Sequence, residues 1–150
     1  MAAKESTFSA DVQWSGSTAS ADYTRNHTVA IVDQTIRGSA TAAYGGDSAL
    51  ANPEQLFAAA IAQCQMLTYL ALAAKTGLDV VQYTDHAEAT IAMQDRKMLV
   101  ATVVLHPTIK LAAGGDASPA QQLVEKAHGY CFIANSVTSQ VTIEPTIETA

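Results

Sequence analysis

The chain has 150 residues, of which 49% are hydrophobic and 15% charged, and its formal net charge is −6. That length suits one domain able to bury a core without a disulfide, and the composition argues against a disordered chain. The acidic balance and the lack of any Lys/Arg run argue against nucleic acid and anionic membrane as partners.

The opening stretch from Met1 to Trp14 has no apolar h-region, so it does not read as a signal peptide, and the protein is expected to be cytoplasmic. Two cysteines in a reducing compartment are inert buried thiols, metal ligands or redox groups rather than a lasting structural bridge.

Within the first fifty residues, one strand is expected near residues 23–33 and another from Thr35-Ile36 toward Ala42, with Tyr44-Gly45-Gly46-Asp47 as a turn. Asn52 as a cap, Pro53 at the first helical position and Gln55 as a capping-box partner then open a long helix. It runs to about Lys75, where Gly77 can end it, and spans about 35 Å. Leu56, Phe57, Ile61, Met66, Leu67, Leu70 and Leu72 make it apolar on nearly every face, so it needs cover all round. One small sheet covers one side, and a second subunit is expected on the other, which predicts a homodimer. Gln63, Gln65 and the many alanines argue against reading the stretch as a membrane span.

Residues 79–93 alternate with period two, placing Val81, Tyr83, Asp85, Ala87, Ala89 and Ile91 on one face of a strand. Gln94-Asp95-Arg96-Lys97 turns the chain, and Met98 to Leu111 returns as the partner strand, with Pro107 marking an edge or a bulge. Ser118-Pro119-Ala120-Gln121 reads as a second capping box that opens a helix through about His128. Val141, Ile143 and Pro145 predict a last edge strand. Strands, long helix, hairpin, short helix and strand make an α+β fold in a single domain over residues 1–150.

Cys64 sits about three turns inside the long helix, and its plain reading is a small buried hydrophobe. A reactive thiol needs more. At an ordinary pKa of about 8.5 only about 3% is thiolate at neutral pH. Lowering the pKa to about 6 requires about 3.4 kcal/mol of preference for the charged form. The helix dipole fades within the first turn, whereas a guanidinium at about 4 Å supplies about 4 kcal/mol at an effective dielectric of about 20. A reactive Cys64 therefore demands an arginine from elsewhere in the fold. Arg25 is the candidate, on the expected first strand with Tyr23 and His27 pointing the same way. Arg37 is the reserve, and Arg96, in a turn, is the least suited.

Glu54, in the first turn of the helix, either complements the helix dipole or grips that arginine. Glu54 and Cys64 are ten residues apart, which is about 15 Å along a straight helix. One arginine bridges both only if the helix start is irregular. His128 and Cys131 form an H-x-x-C spacing. With Cys64 and a further histidine such as His27 it could bind zinc, but no second close pair is present, and neither metal nor cofactor is expected. The other reading makes Cys131 a resolving thiol with His128 packed nearby.

Asn52-Pro53-Glu54-Gln55-Leu56-Phe57-Ala58-Ala59-Ala60 followed by Cys64 resembles the signature of the OsmC/Ohr hydroperoxide reductases, and Ala127-His128-Gly129-Tyr130-Cys131 resembles their second cysteine motif. The likeness runs from about Asn52 to Pro145. Phe132 follows Cys131 where the better-studied peroxidases of the family usually carry proline, so the chain resembles a less characterised OsmC-like branch. The resemblance implies an OsmC-like fold, with a long central helix packed on antiparallel sheets in an intertwined homodimer. It implies a thiol-dependent peroxidase with Cys64 peroxidatic, Cys131 resolving, and Glu54 the partner of the arginine. It also implies reduction by a dithiol, typically a lipoylated protein. Phe57, Met66, Leu67, Tyr69 and Leu70 around Cys64 would favour bulky organic hydroperoxides over hydrogen peroxide, unless they are plain core. The rival reading is a dimeric binder of a small apolar ligand with passive cysteines.

Overall fold

The structure, a computed structural model, describes residues 5–150. It divides into two compact units, one ending at Pro53 and one beginning at Glu54.

The first unit is an antiparallel sheet of β1 (Asp11–Gln13), β2 (His27–Ile31) and β3 (Gln34–Gly38), in that order. Both expected strands are present but shorter. Tyr23 and Arg25 lie in irregular chain before β2 rather than on it. His27 stands opposite Gly38 in the register, and a Cβ at residue 38 would meet the His27 Nε2 at 2.5 Å, so any larger residue there would have to displace the imidazole. Beyond β3, the buried Ser39 pins the following loop. Its N–H donates to the Ala51 carbonyl (2.8 Å), its hydroxyl donates to Asn26 Oδ1 (2.9 Å), and its Oγ accepts the Asp47 N–H (3.0 Å).

The second unit opens with α1 (Pro53–Thr76), close to the span that the capping residues predict. Gly77, at φ +76°, ends it. The Leu78 N–H donates to the Ala73 carbonyl and the Gly77 N–H to the Ala74 carbonyl, which is the pairing of a Schellman cap. There follow β4 (Val80–Thr84), β5 (Ala87–Gln94), β6 (Lys97–Leu105), β7 (Thr108–Leu111), α2 (Ala117–Tyr130), β8 (Gln140–Ile143) and β9 (Thr146–Thr149). They form two three-stranded sheets, β4-β7-β9 and β5-β6-β8.

Each of the two expected hairpin strands, and the expected last edge strand, is thus two strands. The breaks fall at Asp85-His86, His106-Pro107 and Glu144-Pro145, and cross-links hold them side by side. The His106 N–H donates to Asp85 Oδ1 (2.8 Å), the Glu144 N–H to the Leu105 carbonyl (2.8 Å) and the Thr146 N–H to the Pro107 carbonyl (2.8 Å). Pro107 is therefore neither on an edge nor in a bulge: it links β6 and β7, each the middle strand of its sheet, at the gap where no ladder needs its missing N–H. The bulges lie elsewhere, at Val80/Gln82 and Thr90/Ile91, and the first turns Val81 outward to 55% exposure, off the face that period two assigns to it. The last segment does lie at sheet edges, but β8 and β9 pair in parallel with β6 and β7, so both sheets are mixed rather than antiparallel. Asp95 and Arg96, both at positive φ, make the β5–β6 hairpin turn.

Ala58, Ile61, Gln65, Tyr69 and Ala73 form the buried stripe of α1, at spacings of three and four. Its first half packs Ile61 on Val103 and Leu105. Its second half packs Tyr69 and Ala73 with Ile109 and Leu111 of β7 and Ala120, Leu123, Val124 and Ala127 of α2. α1 is long and apolar enough to cross a bilayer, and these two cores account for part of that apolarity. The helix α2 is capped by Asp116, whose carboxylate accepts the Ser118 N–H (2.9 Å), two residues before the expected cap. It continues past His128 to Tyr130, leaving Cys131 as its C-cap.

Candidate active site

The second unit brings Cys64 and Cys131 together. Gln65, 1% exposed, fixes the approach of α1 to α2 by donating its Nε2–H to the Val124 carbonyl (3.1 Å). The Tyr69 hydroxyl adds a bond to the Ala120 carbonyl (3.2 Å) one turn further along each helix. In the other direction along this seam the two free thiols come close enough to act on each other. Cys64 is partly exposed and Cys131 fully buried.

Burial pushes the Cys131 thiol up, and the neighbouring Cys64 thiol pushes it the same way. Backbone N–H groups of Ala134 and Ile133, aimed at the sulfur, pull it down. Those amides belong to the 3-10 turn after α2, which is held by bonds from Asn135 N–H to the Cys131 carbonyl (3.0 Å) and from Asn135 Nδ2–H to the Gly129 carbonyl (3.1 Å). The Cys131 sulfur therefore sits where a thiolate is accepted by fixed donors, yet desolvation keeps it protonated at rest.

His128, one turn before Cys131, has its Nδ1 buried without a partner, as does the Oε1 of Gln65. Glu54 is partly buried and its Oε2 is a third such atom. Because α1 is continuous from Pro53, the irregular helix start that would bring Glu54 toward Cys64 of the same chain is not present.

Arg25 belongs to the first unit. Its guanidinium lies 3.8 Å over the Tyr23 ring. Its Nη1 donates to the Tyr23 and Ala21 carbonyls and its Nη2 to Ala21, so the Nε–H edge of the fork carries no bond among the described residues. Its other face lies against Gly45, where a Cβ would come within 3.4 Å of Cζ. Trp14 supports this arrangement, edge-on to Tyr23 and donating its Nε1–H to the Thr24 carbonyl (2.8 Å). Arg37 is an exposed residue of β3 and Arg96 is in the hairpin turn. His27 turns its Nδ1 to the Arg25 carbonyl (2.9 Å). Among the described residues, no group of three or more His, Cys, Asp or Glu is placed to hold a metal ion.

The expected apolar wall is largely core. Phe57, Tyr69 and Leu70 pack inward, and of the five only Leu67 is strongly exposed, at 60%. The exposed apolar residues next to the thiols are instead Tyr130, Phe132 and Ile133, with Phe132 at 79%. Their position on either side of Cys131 was the available signal.

The fold and the paired thiols meet a clear match among known proteins. The family model described as OsmC-like protein matches residues 45–146. The chain belongs to the OsmC-like family. An OsmC-like protein of unknown function from Vibrio cholerae has the same fold with a TM-score of 0.86 and 31% identity, over 95% of this chain and 100% of that one. An organic hydroperoxide resistance protein OsmC from Legionella pneumophila aligns with a TM-score of 0.69 and 22% identity, over 96% and 99% of the two chains. The organic hydroperoxide resistance protein OhrB of Bacillus subtilis aligns with a TM-score of 0.65 and 22% identity, over 94% and 98%. No curated protein matches the chain. The expected α+β OsmC-like fold with a long helix packed on sheets is the observed one.

Proposed function

We propose that this OsmC-like protein is a thiol-dependent peroxidase that reduces organic hydroperoxides through Cys64, with Cys131 as the resolving thiol. The observation that carries the reading is the pair of neighbouring free thiols itself: a partly exposed sulfur backed by a buried one. The Cys64 thiolate attacks the distal peroxide oxygen, the O–O bond breaks, and the alcohol leaves with a proton. The Cys64 sulfenic acid then condenses with Cys131, releasing water and forming a disulfide. An external dithiol, such as a lipoylated protein, returns both to thiols. Two relatives named for organic hydroperoxide resistance support the substrate class.

Arg25 is the cation proposed to hold Cys64 as thiolate. The carbonyls and the ring that fix its guanidinium leave the Nε–H edge for a charged partner. Glu54, with its unpartnered Oε2, is proposed to receive it. Glu54 and Cys64 of one chain are about 15 Å apart along α1, more than one guanidinium spans. Glu54 of one chain is therefore proposed to serve Cys64 of another, in a homodimer formed on the uncovered face of α1 that carries Leu67.

The test is steady-state turnover of an alkyl hydroperoxide with a dithiol reductant. The proposal expects activity in the wild type and none in Cys64→Ser; equal rates would reject it and favour a ligand-binding protein with passive cysteines.

A further inference from the structure

The resolving step has a proton to move, and the thiol that must lose it is buried and held protonated. Positions 124, 128 and 131 lie on one face of α2, at spacings of four and three. Two of the three meet α1, Val124 through the hydrogen bond its carbonyl accepts from Gln65 and Cys131 as the neighbour of Cys64. His128 lies between them along that face, with Nδ1 buried and unpartnered, as is Gln65 Oε1 on the facing helix.

We infer that His128 is the proton acceptor for Cys131 in disulfide formation. This rests on the pairing of thiols proposed above and adds a residue to it. His128 takes the Cys131 proton, and the thiolate, supported by the Ile133 and Ala134 amides, attacks Cys64 Sγ. The S–O bond of the sulfenic acid breaks, and the departing hydroxide leaves as water with the proton from the imidazolium. The titratable groups at this seam are few. α1 contributes Cys64 and Tyr69, whose hydroxyl is engaged with the Ala120 carbonyl and raised by burial, and the end of α2 contributes Cys131. Glu125 and Lys126 are on exposed positions of α2. The β9 strand packs Ile147 inward, and its alternation turns Glu148 the other way.

The step can be read without any peroxide. Dithiobis(nitrobenzoate) converts Cys64 to a mixed disulfide with release of one nitrothiobenzoate, and attack by Cys131 releases the second. In the wild type the second release should level off above the pH at which the His128 ring titrates, followed through its C2 proton by NMR. In His128→Asn the second release near pH 7 should fall about ten- to a hundredfold and then climb with pH as a simple thiol ionisation, while the first release is unchanged. A merely structural role would not change that slope. Equal second-release rates and pH profiles in the two proteins would overturn the inference, as would a wild-type profile that rises without a histidine inflection. Should hydroperoxide leave Cys64 untouched while the His128→Asn effect persists, the peroxidase reading falls and the role of His128 stands.

Discussion

The thiols of Cys64, in the middle of α1, and Cys131, at the end of α2, are interacting neighbours across the seam that Gln65 and Tyr69 fasten. Two helices far apart in sequence thus place a partly exposed sulfur beside a buried one, and the expected consequences can be measured.

The resolving role of Cys131 has a direct signature. Cys131→Ser should oxidise once at Cys64 and then advance to sulfinic acid under excess hydroperoxide, because no thiol intercepts the sulfenic acid. Peptide mass spectrometry after stepwise oxidation reads this. A variant that cycles like the wild type would show that another thiol, or the reductant alone, resolves Cys64.

The seam itself makes an energetic prediction. Tyr69 is fully buried and its hydroxyl bonds the Ala120 carbonyl. That carbonyl lies in the first turns of α2, where it also accepts a helical bond, so Tyr69→Phe leaves no orphan and should cost only about 0.5–1.5 kcal/mol. Tyr69→Ala empties a core position and should cost about 3–5 kcal/mol. Urea unfolding midpoints distinguish the two.

A third prediction concerns the Schellman cap of α1. Gly77 is at φ +76°, with nothing within 4 Å of the place an alanine methyl would take, so Gly77→Ala meets no clash and only backbone strain. It should destabilise by about 1–2 kcal/mol, read as a lower Tm. An unchanged Tm would show that the helix end relaxes freely.

Asp85 predicts a pH dependence. Its Oδ1 accepts the His106 N–H while Oδ2 is buried without a partner. Burial raises its carboxyl above the usual range, against the lowering pull of the His106 amide and of the His106 and His86 charges. A carboxyl that holds its proton longer when folded than when unfolded makes stability fall as pH rises between its unfolded and folded values. Asp85→Asn keeps the Oδ1 acceptor and removes that fall. The variant should gain on the wild type as pH rises above about 4, the ordinary aspartate range, by no more than about 1 kcal/mol because Asp85 is only half buried. Parallel Tm-against-pH curves would contradict this.

Much of this architecture was legible in the residues. The limits of α1 follow from Pro53 and Gly77, and both cysteines stand in motifs that local spacing exposes. What period-two patterning could not reveal is that Asp85-His86, His106-Pro107 and Glu144-Pro145 break three strands at one level, because the alternation of Tyr83, Asp85, Ala87 and Ala89 continues through the break. Parallel pairing of β8 and β9 was hidden for the same reason: face alternation is blind to strand direction. The apolar wall assigned to Cys64 was mostly core because an all-apolar helix does not say which face meets which neighbour. Arg25 was placed on a strand by the residues around it, whereas its guanidinium is held by Tyr23 and two carbonyls in irregular chain, a tertiary arrangement without a local code.

The most direct test of the central claim is the state of the two sulfurs after one equivalent of an alkyl hydroperoxide, read by peptide mass spectrometry without reductant. The account predicts a Cys64–Cys131 disulfide formed in step with loss of the peroxide. Both cysteines recovered as free thiols, with the peroxide intact, would contradict it.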